Sequence, residues 1–472
     1  MMKCFKIKSY NINNRLDPLF YSNDTLAIFS KSNFPKRYLG DIVKYFKTGF
    51  AAGKAEQSEN QNDIIQIRPT NINENRQLIF QKNIYISRKT LPEKKQYLVQ
   101  KREILFNNTN SQELVGKSVY FDLEGDFFCS NHITRMGVDE KIVNPIYLTY
   151  ILNWMQENKV FYNTCTNWNN QSGINIELLK SYIVPLPSLN VQNEIVKIIQ
   201  KAYTLKSQYE DEANSLLISL NNLVTNELNI KIPNTKFKQY FSINSQNILN
   251  NRIDPHYHQP KFSEIENYLN NCQYKQYKIG DIAIKISSGA TPLSGGDAYT
   301  DSQTGIPFIR SGDINLYDSI NYENILYIKE NVHNTILKSS QLQFEDILVA
   351  IVGATIGQVS MYKNQTSANI NQAIALIRVD KNRIIPEYLK IYLLSRLGQE
   401  ELNRNKRPVA RANLNLEEIA NINILIPDFQ TQQNIIDKFH NSLCEINQNF
   451  NEARKEFEQA KIKIEKMILG EE

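Results

Sequence analysis

Residues 430–467 read QTQQNIIDKFHNSLCEINQNFNEARKEFEQAKIKIEKM, and their apolar side chains fall at Ile436, Phe439, Leu443, Ile446, Phe450, Ala453, Phe457, Ala460, Ile464 and Met467. The steps alternate 3, 4, 3, 4 without a break, and neither Pro nor Gly intrudes before Gly470. Such a seam belongs to one face of a long helix. A second seam runs through Ile195, Ile199, Ala202, Tyr209, Ala213, Leu216, Leu220 and Leu223, interrupted at Lys206 with Leu205 beside it. At about 1.5 Å per residue each helix is roughly 57–60 Å long. A stripe of that length cannot be buried by its own helix. The other helix of the chain has the matching length, so an antiparallel pair within one chain is expected. Two separate dimerisation coils are the alternative.

Each helix closes a copy of one unit. Asn13-Asn14-Arg15-Leu16-Asp17-Pro18 recurs as Asn250-Asn251-Arg252-Ile253-Asp254-Pro255, an offset of 237. Leu39-Gly40-Asp41-Ile42 recurs at Ile279–Ile282, and Ile67-Arg68 with Asn71-Ile72 at Ile309-Arg310 with Asp313-Ile314. Glu103-Ile104-Leu105 answers to Asp346-Ile347-Leu348, and Pro145-x-Tyr147-Leu148 to Pro386-x-Tyr388-Leu389. Asn175-Ile176-Glu177 matches Asn415-Leu416-Glu417, and Pro187 with Gln192 matches Pro427 with Gln432 at offset 240. An ordered series at one nearly constant offset marks tandem duplication. Short apolar strand candidates such as Ile347–Val352 and Ala373–Val379 lie between turn residues in the mixed part. The expected fold is α+β: two pseudo-repeated mixed domains, residues 1–188 and 233–427, separated by long antiparallel coiled-coil helices at 189–232 and 428–472.

Composition sets outer limits. The chain has 472 residues, 41% hydrophobic and 22% charged, with 54 − 49 = +5 net charge. These are values of a globular, multidomain protein, and a near-neutral body can still hold a polyanion through a local basic patch. Five scattered cysteines form no C-x-x-C pair, which argues against a disulfide framework or zinc module. The opening MMKCFKIKSYNINN has no apolar run behind it and does not read as a signal peptide. The longest apolar run, Ile347–Gly357, is well short of a membrane span, so a cytoplasmic protein is expected.

Catalytic constellations are missing. Gly49-x-x-x-Gly53-Lys54-Ala55 has one residue too few between its glycines for a phosphate loop, and Ala55 replaces the magnesium-holding hydroxyl. Neither a G-x-S-x-G elbow, an H-E-x-x-H pair, nor a target-amine clamp of DNA methyltransferases occurs. His256-Tyr257-His258 could offer two imidazoles to a metal, but the first copy has Leu19-Phe20-Tyr21 there. The chain reads as a binder. Its richest segment, Asn403–Asn413, carries Arg404, Lys406, Arg407 and Arg411 among amides. Arginine forks suit phosphate and the O6/N7 edge of guanine, and amides suit adenine. The corresponding place in the first copy, Thr164–Ser172, is nearly chargeless, amide-rich and holds Trp168. Gly289–Asp297 is a long loop of small residues that either reaches into a groove or is a surface turn.

Several of these segments are similar to hallmarks of one family. Ile306-Pro307-Phe308-Ile309-Arg310-Ser311-Gly312-Asp313-Ile314, Asp346–Ala350 with Gly353–Gly357, and Asn413–Leu416 followed by Ile426-Pro427 and Gln432-Gln433 resemble the specificity subunits of type I restriction-modification systems. The resemblance covers essentially the whole chain. The first copy departs from it at Ile67–Ile72 and at Asn107-Asn108-Thr109-Asn110, where Ser-Gly-Asp and a glycine-rich run are usual. It implies two target recognition domains, a helical spacer, double-stranded DNA as ligand, and a non-catalytic role. Two modification subunits would bind S-adenosylmethionine and methylate adenine, and two restriction subunits using ATP and Mg may join them. No cofactor is expected on this chain. The candidate DNA contacts are Lys47, Lys54, Asn169, Asn170, Gln171, Arg404, Lys406, Arg407 and Arg411. The competing expectations are a coiled-coil scaffold that binds proteins, and an enzyme in its own right.

Overall fold

The computed structural model describes residues 28–169, 171–232, 236–248, 252–293, 296–315, 319–407 and 413–470. The motif at Asn13–Pro18, and Asn250-Asn251 of its counterpart, lie outside them. The chain divides into two compact units, whose described parts are 28–207 with 453–470, and the described residues of 208–452.

In the first unit β1 (Lys36–Tyr38), β2 (Val43–Thr48), β3 (Ile104–Asn107), β4 (Thr109–Asn110), β5 (Ser118–Tyr120) and β6 (Ile133–Val138) precede the helix α1 (Pro145–Glu157). After it come β7 (Thr166–Trp168), β8 (Gln171–Gly173), α2 (Ile176–Lys180), β9 (Ile183–Pro185) and the long helix α3 (Leu189–Glu227). The central sheet runs β2-β6-β3-β5, all antiparallel, with β1 paired to β9 at one side. The second unit repeats this with β10 (Gln276–Lys278), β11 (Ala283–Ser288), β12 (Ile347–Ala350), β13 (Val359–Met361), β14 (Ile374–Val379), α4 (Pro386–Leu394), α5 (Arg396–Asn405), α6 (Leu416–Ala420), β15 (Asn423–Leu425) and α7 (Phe429–Leu469). Its sheet order is β11-β14-β12-β13, and β10 pairs with β15.

The central strands are buried on both faces, which explains their unbroken apolar runs. In β12, Ile347 and Val349 enter the core that contains Tyr388 and Leu389, while Leu348 enters a second core with Ile309 and Ile370. In β3, Ile104 and Phe106 face Tyr147 and Leu148, and Leu105 faces Ile67 and Val119. The alternation of a strand thus serves two cores.

The repeated polar positions are internal clamps. Glu103 takes both Arg135 Nε (2.9 Å) and Nη2 (2.8 Å), and Asp346 takes both Arg378 Nε and Nη2 at 2.7 Å. Gln192 is fully buried, its amide donating to the carbonyls of Ile142 and Pro187 while its oxygen accepts from Asn144 N–H at 2.8 Å. Gln432 repeats this with Pro427 O and Ile385 N–H. Tyr147 donates to Pro185 O and Tyr388 to Leu425 O. A buried polar side chain persists only when its partners are supplied, and each copy supplies the same ones.

The two long helices meet within each unit. In the first, Ile195, Val196 and Ile199 of α3 share a core with Ile464 and Ile468 of α7. There the Tyr203 and Phe457 rings pack at a tilt with centroids 5.0 Å apart. In the second, Ala213, Leu220 and Val224 share a core with Ile435, Ile436, Phe439 and Ile446, and Glu227 pairs with Lys438 at 2.7 Å. Early residues of one helix meet late residues of the other in both units, so the pairing is antiparallel. Lys206, the break in the seam, lays its ammonium 4.9 Å from the Phe457 ring and bonds Asn75 Oδ1 at 2.6 Å. Its stem fills an apolar position while its charge finds a polar one. Phe450 departs from the seam and is 39% exposed. Among the described residues no helix is long and apolar enough to cross a membrane.

Candidate nucleic-acid interface

In the first unit β7 and β8 form a hairpin in which Trp168 stands opposite Gln171, and β8 continues onto β4 through Gly173–Thr109 and Ser172–Asn110. Asn169 at its tip has φ 39°, the left-handed conformation that asparagine tolerates and tight hairpin turns require. The Trp168 ring lies over Gly173, where a Cβ would come within 2.4 Å of it. Ser172 Oγ donates to Asn167 Oδ1 at 2.6 Å and fixes the hairpin's other face. Beside it opens a cleft of about 630 Å³ lined by Thr48, Asn108, Thr134, Trp168 and Glu177, among others. Its polar lining is hydroxyl, amide and one carboxylate, the groups that read base edges without adding positive charge. Trp168 is 45% exposed.

The second unit builds the same place from Val352, Asn413 and Arg407, which bridge in that order as β4, β8 and β7 do. Arg407 is 49% exposed, and its Nε donates to Glu418 Oε1 at 2.7 Å. Arg404 belongs to the last turn of α5, not to the loop. Its side chain is 13% exposed, pairs with Glu266 at 2.9 Å and lies 4.8 Å over the Tyr257 ring. Lys406 borders a cleft of about 300 Å³ that it shares with Gly357, Arg396, Gln399 and Asn403. Asn170 and Arg411 lie outside the described residues. Lys47 is exposed on β2, its ammonium 4.9 Å from the Tyr45 ring. Lys54 is exposed in a turn where Glu56 accepts from Gly53 N–H (2.9 Å) and pairs with Lys94 (3.0 Å). Of the predicted residues that are described, Asn169, Gln171 and Arg407 lie at these two equivalent places and Lys406 beside the second, whereas Arg404 sits on α5 and Lys47 and Lys54 on separate elements of the first unit.

Sequence reading missed the braces. Arg252, quoted above only as part of a repeated motif, bonds Asp254 at 2.7 Å and Glu418 at 3.3 Å and donates to the carbonyls of Asn405 and Lys406. It ties down the chain where the cationic loop begins. His256 and His258 direct Nε2 at the carbonyls of Asn403 and Arg252, so both imidazoles act in the same bracing network. It also missed Asn108, Thr134 and Glu177, which are far apart in sequence and meet only once β3, β6 and α2 are in place. The most basic stretch of the first unit is largely neutralised, with Arg88 on Asp126 (3.0 Å), Lys94 on Glu56, Lys101 on Glu124 and Arg102 on Glu140. On the edge strand β2 Tyr45 donates to Glu103 (2.7 Å), and burial, then that carboxylate, push the phenol up to about 12.

The sequence profile of the type I restriction modification DNA specificity domain matches this chain twice, at residues 31–217 and 271–454. The chain is 32% identical over 136 residues to the type I restriction enzyme EcoBI specificity subunit of Escherichia coli, a stretch covering 29% of this chain and 28% of that relative's length. It is 22% identical over 383 residues to the putative type I restriction enzyme MjaX specificity subunit of Methanocaldococcus jannaschii, covering 78% of this chain and 77% of that one. A solved structure described under the complex assembly and conformational transition of the type I R-M system superposes with a TM-score of 0.50 at 12% identity, covering 92% of this chain and 96% of that one. At that identity the likeness is one of fold.

Proposed function

The chain belongs to the type I restriction-modification DNA specificity family, as a non-catalytic specificity subunit, and from this premise we propose that each lobe reads one half of a bipartite, asymmetric site in double-stranded DNA. The observation that carries this reading is the pair of equivalent hairpins with different side chains. One offers Trp168, Asn169 and Gln171, the other Lys406, Arg407 and Asn413, on frames held by the same buried clamps. Asn169, Asn170, Gln171, Arg407 and Arg411 would contact base edges, Lys47, Lys54 and Lys406 phosphates, with Arg404 supporting its loop through Glu266. Phosphate contacts set position and salt dependence, and base contacts set sequence.

The helix pair would act as a ruler that keeps the half-sites about one duplex turn apart, roughly 34 Å. Two modification subunits, carrying S-adenosylmethionine, would dock on the chain in the cytoplasm and methylate adenine after flipping it out. Two restriction subunits supplied with ATP and Mg would complete a cleaving assembly. Single-molecule sequencing of methylated DNA from cells expressing the chain with its modification partner tests this. A split adenine-methylated motif is expected, and removing a matched pair of heptads from α3 and α7 should alter its spacer while leaving both half-sites intact. An assembly that methylates without regard to nucleotide order, or DNA retention indifferent to neutralising Arg404, Lys406, Arg407 and Arg411 together, would instead favour a protein-binding scaffold.

A further inference from the structure

A second cleft of the first unit, about 570 Å³, lies away from the hairpin between the 75–78 turn, the end of β5, α1 and the first half of α3. Leu78, Leu123, Ile146 and Ile199 give it an apolar wall, and Arg76, Tyr150 and Tyr203 a polar one. Arg76 has φ 59°, a left-handed backbone that L side chains rarely adopt, held by Asn73, whose side chain accepts from Gln77 N–H at 2.9 Å. Its side chain is 10% exposed and touches Gln156 Oε1 at 2.5 Å through Nη2, with Glu157 3.8 Å away. Arg76 Nε and Nη1 and the Tyr150 hydroxyl are buried without a hydrogen-bond partner. An unmet buried donor is costly, more so on a charged group, so an acceptor that reaches these groups from the cleft would be favoured.

Burial drives the phenols of Tyr150 and Tyr203 upward, the latter to about 12, so both remain donors. A guanidinium and two phenols on one wall select a group that only accepts and carries negative charge. Asp122 lines the same cleft, and Glu157, already paired with Lys461 at 2.9 Å, stands 3.8 Å from Arg76. These carboxylates would repel a polyanion such as a nucleic-acid backbone and tolerate a single charge. The second unit differs here. By the 241- and 240-residue offsets of these segments, Glu387, Lys390 and His440 replace Ile146, Thr149 and Gln200. Glu387 meets Lys390 at 2.9 Å and His440 at 3.0 Å, so a carboxylate with its own internal partners stands where the first unit has Ile146.

We propose that the Arg76 cleft binds one carboxylate on an apolar stem, either the free terminus of a polypeptide ending in an apolar residue or a small aliphatic or aromatic acid, at one site per chain. Saturation-transfer NMR on the full-length chain tests it, with hexanoate and 4-phenylbutyrate each set against its carboxamide. Both acids should bind and compete with one another, and the amides should not. Arg76→Met should weaken the acids about tenfold or more, and Tyr150→Phe about threefold or more, as expected for charge-assisted and neutral hydrogen bonds. Equal binding of acid and amide, no saturation of either acid, or undiminished binding to Arg76→Met overturns the proposal. If Arg76→Met does not fold, Tyr150→Phe decides, and full-strength binding there overturns it. A hexapeptide ending in Leu, free or amidated, separates the sources: displacement of hexanoate by the free form alone assigns a polypeptide terminus, and failure to displace assigns a free acid.

Discussion

The two lobes share a sheet order, a carboxylate–arginine clamp and a glutamine clamp, yet differ wherever side chains face outward from that frame. Glu103 and Arg135 are both almost wholly sequestered, whereas Arg378 is 20% exposed beside Asp346. The first lobe's hairpin is uncharged and capped by Trp168, while the second carries Arg407 balanced on Glu418. Beside α1 the first lobe has a cleft around Arg76, and on α4 the second carries Glu387, paired with Lys390 and His440, where the first has Ile146. Duplication preserved the groups whose hydrogen bonds close inside a lobe and released those that face outward. Burial is what separates the two classes, because an internal polar group loses its partners on substitution and an external one exchanges them for water.

The clamps provide the sharpest way to break this comparison. Glu103→Ala strands Arg135 in the core and should cost about 3–5 kcal/mol, whereas Asp346→Ala leaves Arg378 a route to solvent and should cost less. Urea unfolding read separately in each lobe checks this, and equal losses would mean that burial does not distinguish the pairs. The next effect concerns recognition. Arg407→Gln should relax the sequence requirement of one half-site by about 1–3 kcal/mol, and Gln171→Ala that of the other half alone. Methylated-site sequencing or competition binding would show it, and a change in both halves from either variant would break the assignment of one lobe to one half.

A smaller effect tests the hairpin itself. Gly173→Ala places a Cβ 2.4 Å from the Trp168 ring and should cost about 1–3 kcal/mol by overpacking. The double variant with Trp168→Ala should recover most of it, since Asn413, the equivalent position by the 240-residue offset, already carries a side chain. The smallest is a pH effect confined to the second lobe. Burial opposes ionisation of Glu387, but Lys390 and then His440 beside it prevail and hold its carboxyl below the usual range. A depressed folded value means that the pair stabilises above the ordinary glutamate range and that this is lost as acid drives the pH down through the folded value. Glu387→Gln should therefore flatten the acid limb of the second lobe's stability below about pH 4. The first lobe, with Ile146 there, should show no such change from this place.

The frame was legible because it repeats. Gln192 with Gln432, Glu103 with Asp346 and Tyr147 with Tyr388 stood out by offset, and the seams of α3 and α7 by period. The candidate site was legible only in part. The cationic segment and its amide-rich counterpart could be aligned, but Arg404 is bound to Glu266, a residue 138 positions earlier that no local pattern connects to it. Arg252 looked like part of a repeat and proved to brace the loop's start. The cleft of Thr48, Asn108, Thr134 and Glu177 has no sequence signature, because its members come from four separate segments.

Sequence by itself determined the duplication, the α+β class of each copy, the two long helices and the need of their apolar stripes for a partner, since periodicity and internal offset are properties of the chain. Only the tertiary structure decided that the stripes meet antiparallel within each unit, which cations pair with distant carboxylates, and that a cleft opens beside Arg76. Those outcomes depend on charges and cavities between segments distant in the chain, and the energy of a buried donor is set by whatever acceptor folding brings to it.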